Sequence, residues 1–355
     1  MKEKTRQANF ELLRILAMLM VITMHYLSKG NVIVSMAKDG SALNLTAWLI
    51  EAFCIVAVNV YVLISGYFLV EVQWKLSKVL WLTAQIWFYS IGVPIVCFIL
   101  NIGEVRTWGL YDWLNVILPL QNEHYWFATA YVIFYLFSPV LAIGIKHISK
   151  KQLEGIIFFL LVVFSGFKSI FPVLLATDRY GNEFGWFMCL FLIAGYIRFY
   201  GIPFLNTAKK SYMLYSMFVF VIWGTSVILG IISRKGLPFS YAMDMLYSYN
   251  HVLVLLASVA LFQAFRYIQI PTGIWSNMIC RIAPFTFGVY LLHENIAVRQ
   301  LWQSWFGVEK VKDSFAVFPH LLITVLTVFT IGVCVDFVRN YLFQKIAKIR
   351  IRKKQ

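Results

Sequence analysis

Apolar stretches of about 17–25 residues, separated by short polar segments, recur along the whole chain. They fall near 10–28, 46–70, 79–100, 125–146, 154–175, 186–202, 212–232, 245–267, 282–300 and 315–340. Each is long enough to cross the roughly 30 Å hydrocarbon core of a bilayer as a helix. The pattern predicts an all-α integral membrane protein with about ten transmembrane helices in one bundle. An even number of spans puts both termini on one side. No Pro-, Ser- or Gly-rich linker interrupts the helices, so residues 1–355 read as a single transmembrane domain, with an approximate core at 8–342 and a basic tail at 343–355. The first apolar run lacks a small-residue cleavage signature and reads as a retained helix. The outer connections 28–45, 101–124 and 300–314 are long, and the segment WGLYDWLNVILPL within the second is amphipathic, suited to the membrane interface or to roofing an outward-facing cavity.

Composition supports this class. The chain is 61% hydrophobic and only 13% charged, with a mean hydropathy of +0.75, against about 25% charged residues in a soluble domain. Placing the amino terminus in the cytoplasm puts most of the 31 Lys and Arg on the inner side, including Lys75, Lys78, Lys150, Lys151, Lys209, Lys210 and the tail KIAKIRIRKK. The outer side holds acids such as Asp39, Glu104, Asp112, Glu123, Asp178 and Glu183. The net charge of +15 therefore points to anionic membrane lipid rather than nucleic acid. The location expected is a cell membrane, crossed many times, in particular the bacterial cytoplasmic membrane. Cys54, Cys97, Cys189, Cys280 and Cys334 sit singly in separate apolar stretches, with no CxxC pair and no metal-ligand spacing.

Arg14 and His25 interrupt the first apolar stretch. Eleven residues apart, they lie about three helical turns from one another on the same side, roughly 16 Å along the axis. Glu11, three residues before Arg14, is placed to pair with it on one face. A charge in hydrocarbon costs on the order of 2.5–3.5 kcal/mol or more, so an aligned cation and imidazole mark a wet or protein-lined path, unless each side chain reaches to its nearer headgroup layer. An arginine fork suits phosphate, and a histidine suits proton removal. An anionic carrier could hold its phosphates at Arg14 and deliver its reactive end to His25, and the pantetheine arm of coenzyme A has about the required length.

These residues resemble the signature of the membrane-bound acyltransferase 3 family: an Arg, ten residues, then a His, with an acid three before the Arg. NVYVLISGYFL at 59–69, HYWFATAYVIFYLFSP at 124–139 and TFGVYLLHEN at 286–295 look like the same family and follow in the expected order. The resemblance implies transfer of an acyl group, usually acetyl from cytoplasmic acetyl-CoA, to a hydroxyl of a carbohydrate or cell-envelope glycan, as in the polysaccharide O-acetyltransferases. It implies His25 as the catalytic residue and Arg14 as essential to it.

The second predicted helix brings Ser65, Gly66 and Tyr67 to about the depth of Arg14. The Ser-Gly pair either packs helices closely or lines the entrance for coenzyme A. Lys75 and Lys78 follow and could meet nucleotide phosphates, although many family members carry a denser arginine cluster there. Ser65 is not set in a GxSxG elbow, which favours direct transfer with His25 as general base. Trp126, flanked by Tyr125 and Phe127, and His293 beside Glu294 are candidates for the acceptor side. Each also has a structural reading, as an interfacial aromatic belt or as a hydrogen-bonded histidine. His124 and His251 fall at the outer ends of helices, and Glu294 and Glu51 are suited to lining a polar cavity. No HExxH, carboxylate cluster or Gly-rich nucleotide loop appears, so neither a metal nor a prosthetic group is expected. The alternative class is a transporter or flippase of a glycan or lipid-linked sugar, since intramembrane Arg, His and Glu also mark substrate paths. No internal repeat supports it.

Overall fold

The computed structural model describes residues 6–121, 124–171, 179–237 and 240–352. Glu123, Asp178 and the end of the fifth predicted span, 172–175, lie outside the described residues. Among the described residues every regular element is helical. In chain order the α-helices are α1 (Ala8–Lys29), α2 (Ala42–Cys54), α3 (Ala57–Leu69), α4 (Leu76–Leu100), α5 (Leu110–Ile117) and α6 (Trp126–His147). They continue with α7 (Lys150–Leu161), α8 (Phe167–Ile170), α9 (Phe184–Tyr200), α10 (Ala208–Arg234) and α11 (Ser240–Leu246). The last are α12 (Val252–Tyr267), α13 (Ile274–Ile282), α14 (Thr286–His293), α15 (Trp302–Trp305) and α16 (Val317–Arg352).

Seven passages among the described residues are long and apolar enough to cross a bilayer: α1, α2 with α3, α4, α6, α7 through α8, α10, and α16. The shorter helices α9 and α12 are also apolar. The predicted span at 282–300 is corrected. Helix α13 passes through a 3-10 turn at Ala283–Phe285 into α14, which stops at His293. Pro284, inside that turn, supplies no N–H. After Glu294, Asn295 turns the chain: its Oδ1 accepts from Ala297 N–H at 3.0 Å, and its Nδ2 donates to the Tyr89 carbonyl at 2.9 Å and to the Tyr125 hydroxyl at 2.8 Å. An apolar run reports composition, and it continues past a helix end that a side-chain hydrogen bond creates. The predicted span at 245–267 likewise begins later, at Val252, where His251 caps α12 by accepting from Leu253 N–H.

The start of α1 and the last part of α16 lie on one side of the bundle. Asn9 at the start of α1 donates to Phe265 at the end of α12, and Phe10 stacks on Tyr67 at the end of α3. Phe343 near the end of α16 packs on Trp81 and Phe88 in the first half of α4. Outward faces such as Ile95, Val96, Ile99 and Leu100 on α4 and Val140 and Ile143 on α6 are exposed and apolar, as a lipid-facing wall requires. The amphipathic segment after α4 forms α5, which lies beside α4: Ser90 Oγ donates to the Val116 carbonyl and Trp87 Nε1 to that of Ile117.

Helix α1 runs through the middle, packed on α2, α3, α12, α13, α14 and α16. Small residues allow the closest crossings. A Cβ on Gly66 would lie 3.0 Å from the Ala194 Cβ and 3.2 Å from the Phe191 Cα, so α3 meets α9 backbone to backbone. Gly332 meets Val289 in the same way at 2.9 Å, and a Cβ on Gly288 would run into Asp336, which fastens α14 to α16. Asp336 is fully buried and accepts from Gln85, Tyr89 and, at both carboxylate oxygens, Arg339.

Candidate active site

Arg14, Met18, Val21 and His25 follow one another on α1 at steps of four, three and four residues, which keeps them on one face. That face fronts a cavity of about 400 Å³ lined by Met18, Val21 and His25 of α1, Ala57, Val58 and Tyr61 of α3, Trp126 and Phe127 of α6, Tyr249, and Tyr290 of α14. Half of the lining residues are aromatic: Trp126 stacks on Tyr249 with ring centres 5.8 Å apart, and Phe127 packs on Tyr61 and Tyr290.

At the outer end, α14 carries two polar groups to α1. His25 Nδ1 lies 3.0 Å from His293 Nε2 and 3.2 Å from Glu294 Oε1. Lys29, one turn beyond His25, forms an ion pair with the same carboxylate. His293 and Glu294 are buried, and His25 is partly open, its side chain 20% exposed. His25, His293 and Glu294 thus bring three possible ligand atoms within 4.8 Å of one another, a grouping that the sequence spacing does not show. The cation next to that carboxylate is the Lys29 ammonium. The end of α14 is held from behind by Tyr125, whose hydroxyl donates to the Leu291 carbonyl, and by His124, which accepts from Ile296 N–H. Burial pushes His124 down to about 4, so its ring is neutral and free to accept.

At the inner end, Arg14 donates to Glu11 at 2.7 Å, the pairing expected from their spacing. Its guanidinium lies 5.9 Å from the centre of the Tyr61 ring, the ring that also lines the cavity, so Tyr61 links the arginine to the histidine end. Ser65 is one turn further along α3, with its hydroxyl 3.0 Å from that of Tyr131. The Tyr61 hydroxyl lies 3.3 Å from that of Thr286 at the start of α14. The other residues named with Arg14 make contacts of their own or face outward. Gly66 occupies the α3–α9 crossing. Tyr67 lies among Phe10, Phe68 and Phe262, with the Arg198 guanidinium 4.7 Å from its ring centre. Lys75 and Lys78 are exposed at the start of α4.

A family model described as an acyltransferase domain matches residues 7–339, nearly the whole chain. The chain belongs to the acyltransferase 3 family. Comparison with curated proteins and with solved structures returned no match.

In this membrane acyltransferase, the structure places His25 and Trp126 in the lining of one cavity and His293 and Glu294 beside His25, while Arg14 and Ser65 lie outside that lining, next to Tyr61. Tyr61, Tyr131, Tyr249 and Tyr290 are added to the candidates named from sequence. Tyr61, Tyr131 and Tyr290 carried a usable signal, since each lies in one of the family-like stretches; Tyr249 did not. The arrangement offers an imidazole facing a partly open cavity, aromatic faces beside it, and a cation three turns toward the start of α1.

Proposed function

We propose that this acyltransferase moves an acetyl group from acetyl-CoA, entering from the cytoplasmic side, to a sugar hydroxyl of a cell-envelope polysaccharide or its lipid-linked precursor in the bacterial cytoplasmic membrane. The observation that carries the reading is the His25 imidazole in the wall of a cavity whose other walls are Trp126, Tyr249 and Tyr290. Sugar rings present C–H faces that pack on aromatic surfaces, and a hydroxyl set there lies beside a base. Arg14 supports the donor side: its planar fork suits the phosphates of coenzyme A, and roughly 16 Å of axial rise separates it from His25.

The chemistry is a direct transfer. His25 takes the proton of the acceptor hydroxyl as its oxygen bonds to the thioester carbonyl carbon. The tetrahedral intermediate collapses, the C–S bond breaks, and the thiolate leaves. The imidazolium returns its proton to that thiolate, giving an acetyl ester, coenzyme A and neutral His25. General-base help of this kind is worth about 10²–10⁴-fold.

Purified protein incubated with radiolabelled acetyl-CoA and candidate glycans should place label covalently on a glycan. His25→Ala should lower the rate by about 10²-fold or more while inserting into membranes normally. Transfer by that variant near the wild-type rate would refute the assignment. Transport of unmodified glycan by the wild type, without label, would favour the transporter class.

A further inference from the structure

His25 Nδ1 faces His293 and Glu294, and a short chain of contacts decides which of its ring nitrogens is basic. His293 Nδ1 lies 2.6 Å from the carbonyl oxygen of Val289, one turn earlier on α14. A carbonyl oxygen only accepts, so that nitrogen carries the proton, and Nε2 of the neutral ring then holds a lone pair and can only accept. His25 Nδ1 faces this lone pair at 3.0 Å. The hydrogen between the two rings therefore belongs to His25 Nδ1, and Nε2, on the opposite edge of the ring, keeps its lone pair.

We infer that His293 is a positioning residue that holds His25 in the Nδ1–H tautomer, leaving Nε2 as the atom that receives the acceptor's proton. The inference rests on the general-base reading of His25. It gives His293 a role behind the imidazole instead of an acceptor contact. Glu294 acts in the same sense, since its Oε1 is an acceptor 3.2 Å from the same Nδ1 and faces the imidazolium formed during transfer. The Lys29 ammonium on that carboxylate opposes a second positive charge on His293. The relay depends on secondary structure, because Val289 and His293 are four residues apart on one helix and the carbonyl points along the axis toward the later ring. A backbone carbonyl here does what a buried carboxylate does behind the histidine of a serine hydrolase.

A metal at the same three groups would require the reverse. It would need lone pairs on both His25 Nδ1 and His293 Nε2, and so would force the proton of His25 onto Nε2.

The test uses the full-length protein in lipid or detergent with acetyl-CoA and the glycan that accepts label. His293→Leu removes the acceptor and should lower kcat by about 10- to 100-fold with the KM for acetyl-CoA unchanged. His293→Gln keeps a side-chain carbonyl for His25 Nδ1 and should recover about tenfold over the leucine variant. Wild-type kcat in His293→Leu, a loss confined to KM, or no difference between the two variants would overturn the proposal. Solid-state NMR of histidine-labelled wild type, with His25 assigned by difference from His25→Ala, reads the tautomer without any activity measurement. It should show His25 protonated at Nδ1 and bare at Nε2. The opposite tautomer, or a metal-bound imidazole, would overturn the proposal whatever the kinetics show. Activity retained in His25→Ala would instead remove the general-base reading and leave the tautomer measurement standing.

Discussion

Replacing Gly288 by alanine sets a methyl group against the Asp336 side chain, the tightest contact that any glycine of the chain presents. Asp336 has little room to retreat: it is fully buried and accepts from Gln85 at 3.0 Å, Tyr89 at 2.9 Å and Arg339 at 2.8 Å. Pushing the carboxylate off Arg339, itself buried, separates an ion pair out of water, which costs about 3–5 kcal/mol. The intrinsic helix preference of alanine over glycine returns about 1 kcal/mol. The net expectation is a loss of roughly 2–4 kcal/mol. Gly92 in α4 and Gly144 in α6 have nothing within 4 Å of an added Cβ, so alanine there should be neutral or slightly stabilising. Thermal unfolding of the three variants in one detergent compares them directly, with Gly288→Ala melting well below the other two. Because α14 also delivers His293 and Glu294 to His25, acyl transfer by Gly288→Ala should fall further than its folded fraction. Unfolding of Gly288→Ala at the temperature of Gly92→Ala would refute the claim that this crossing is fixed by backbone contact with a buried carboxylate.

Two further outcomes separate the ends of the site. Arg14→Ala should raise the KM for acetyl-CoA by about 10- to 100-fold, the worth of a hydrogen bond to a charged group, with kcat at saturating donor changed less; unchanged donor dependence in steady-state kinetics would move the phosphate contact elsewhere. Trp126→Ala removes the ring stacked on Tyr249 and should raise the KM for the glycan roughly 3- to 10-fold while leaving the donor KM alone, and a shift in the donor KM only would take Trp126 out of the acceptor site.

Local regularities make several features readable from the order of residues. The Glu11–Arg14 pair follows from an i,i+3 step on a helix. The steps of four, three and four from Arg14 to His25 put the stripe on one face. The amphipathic run after α4 gives α5 at the bundle's side. Pairings between distant segments were not readable. His293 is 268 positions from His25, and from sequence it stood as an acceptor contact instead of the partner of Nδ1. Gly66 and Tyr67 follow Ser65 directly, yet successive helix residues point about 100° apart. Ser65 therefore turns toward Tyr131 while Gly66 meets α9 and Tyr67 meets α12.

Sequence alone determined that the chain is a helical membrane protein, where most of its helices run, which family motifs it carries, and that an arginine and a histidine share one face of the first helix. Each of these is set by residue chemistry within a few turns, because hydrocarbon demands apolar side chains and internally satisfied backbone. The packing of α14 against α1 and α16 decided the rest: the partly open cavity, the ring of Tyr61 beside Arg14, and the nitrogen of His293 that meets His25. Those contacts depend on how closely helices far apart in the chain can approach, and that distance is set by side chains on both partners at once.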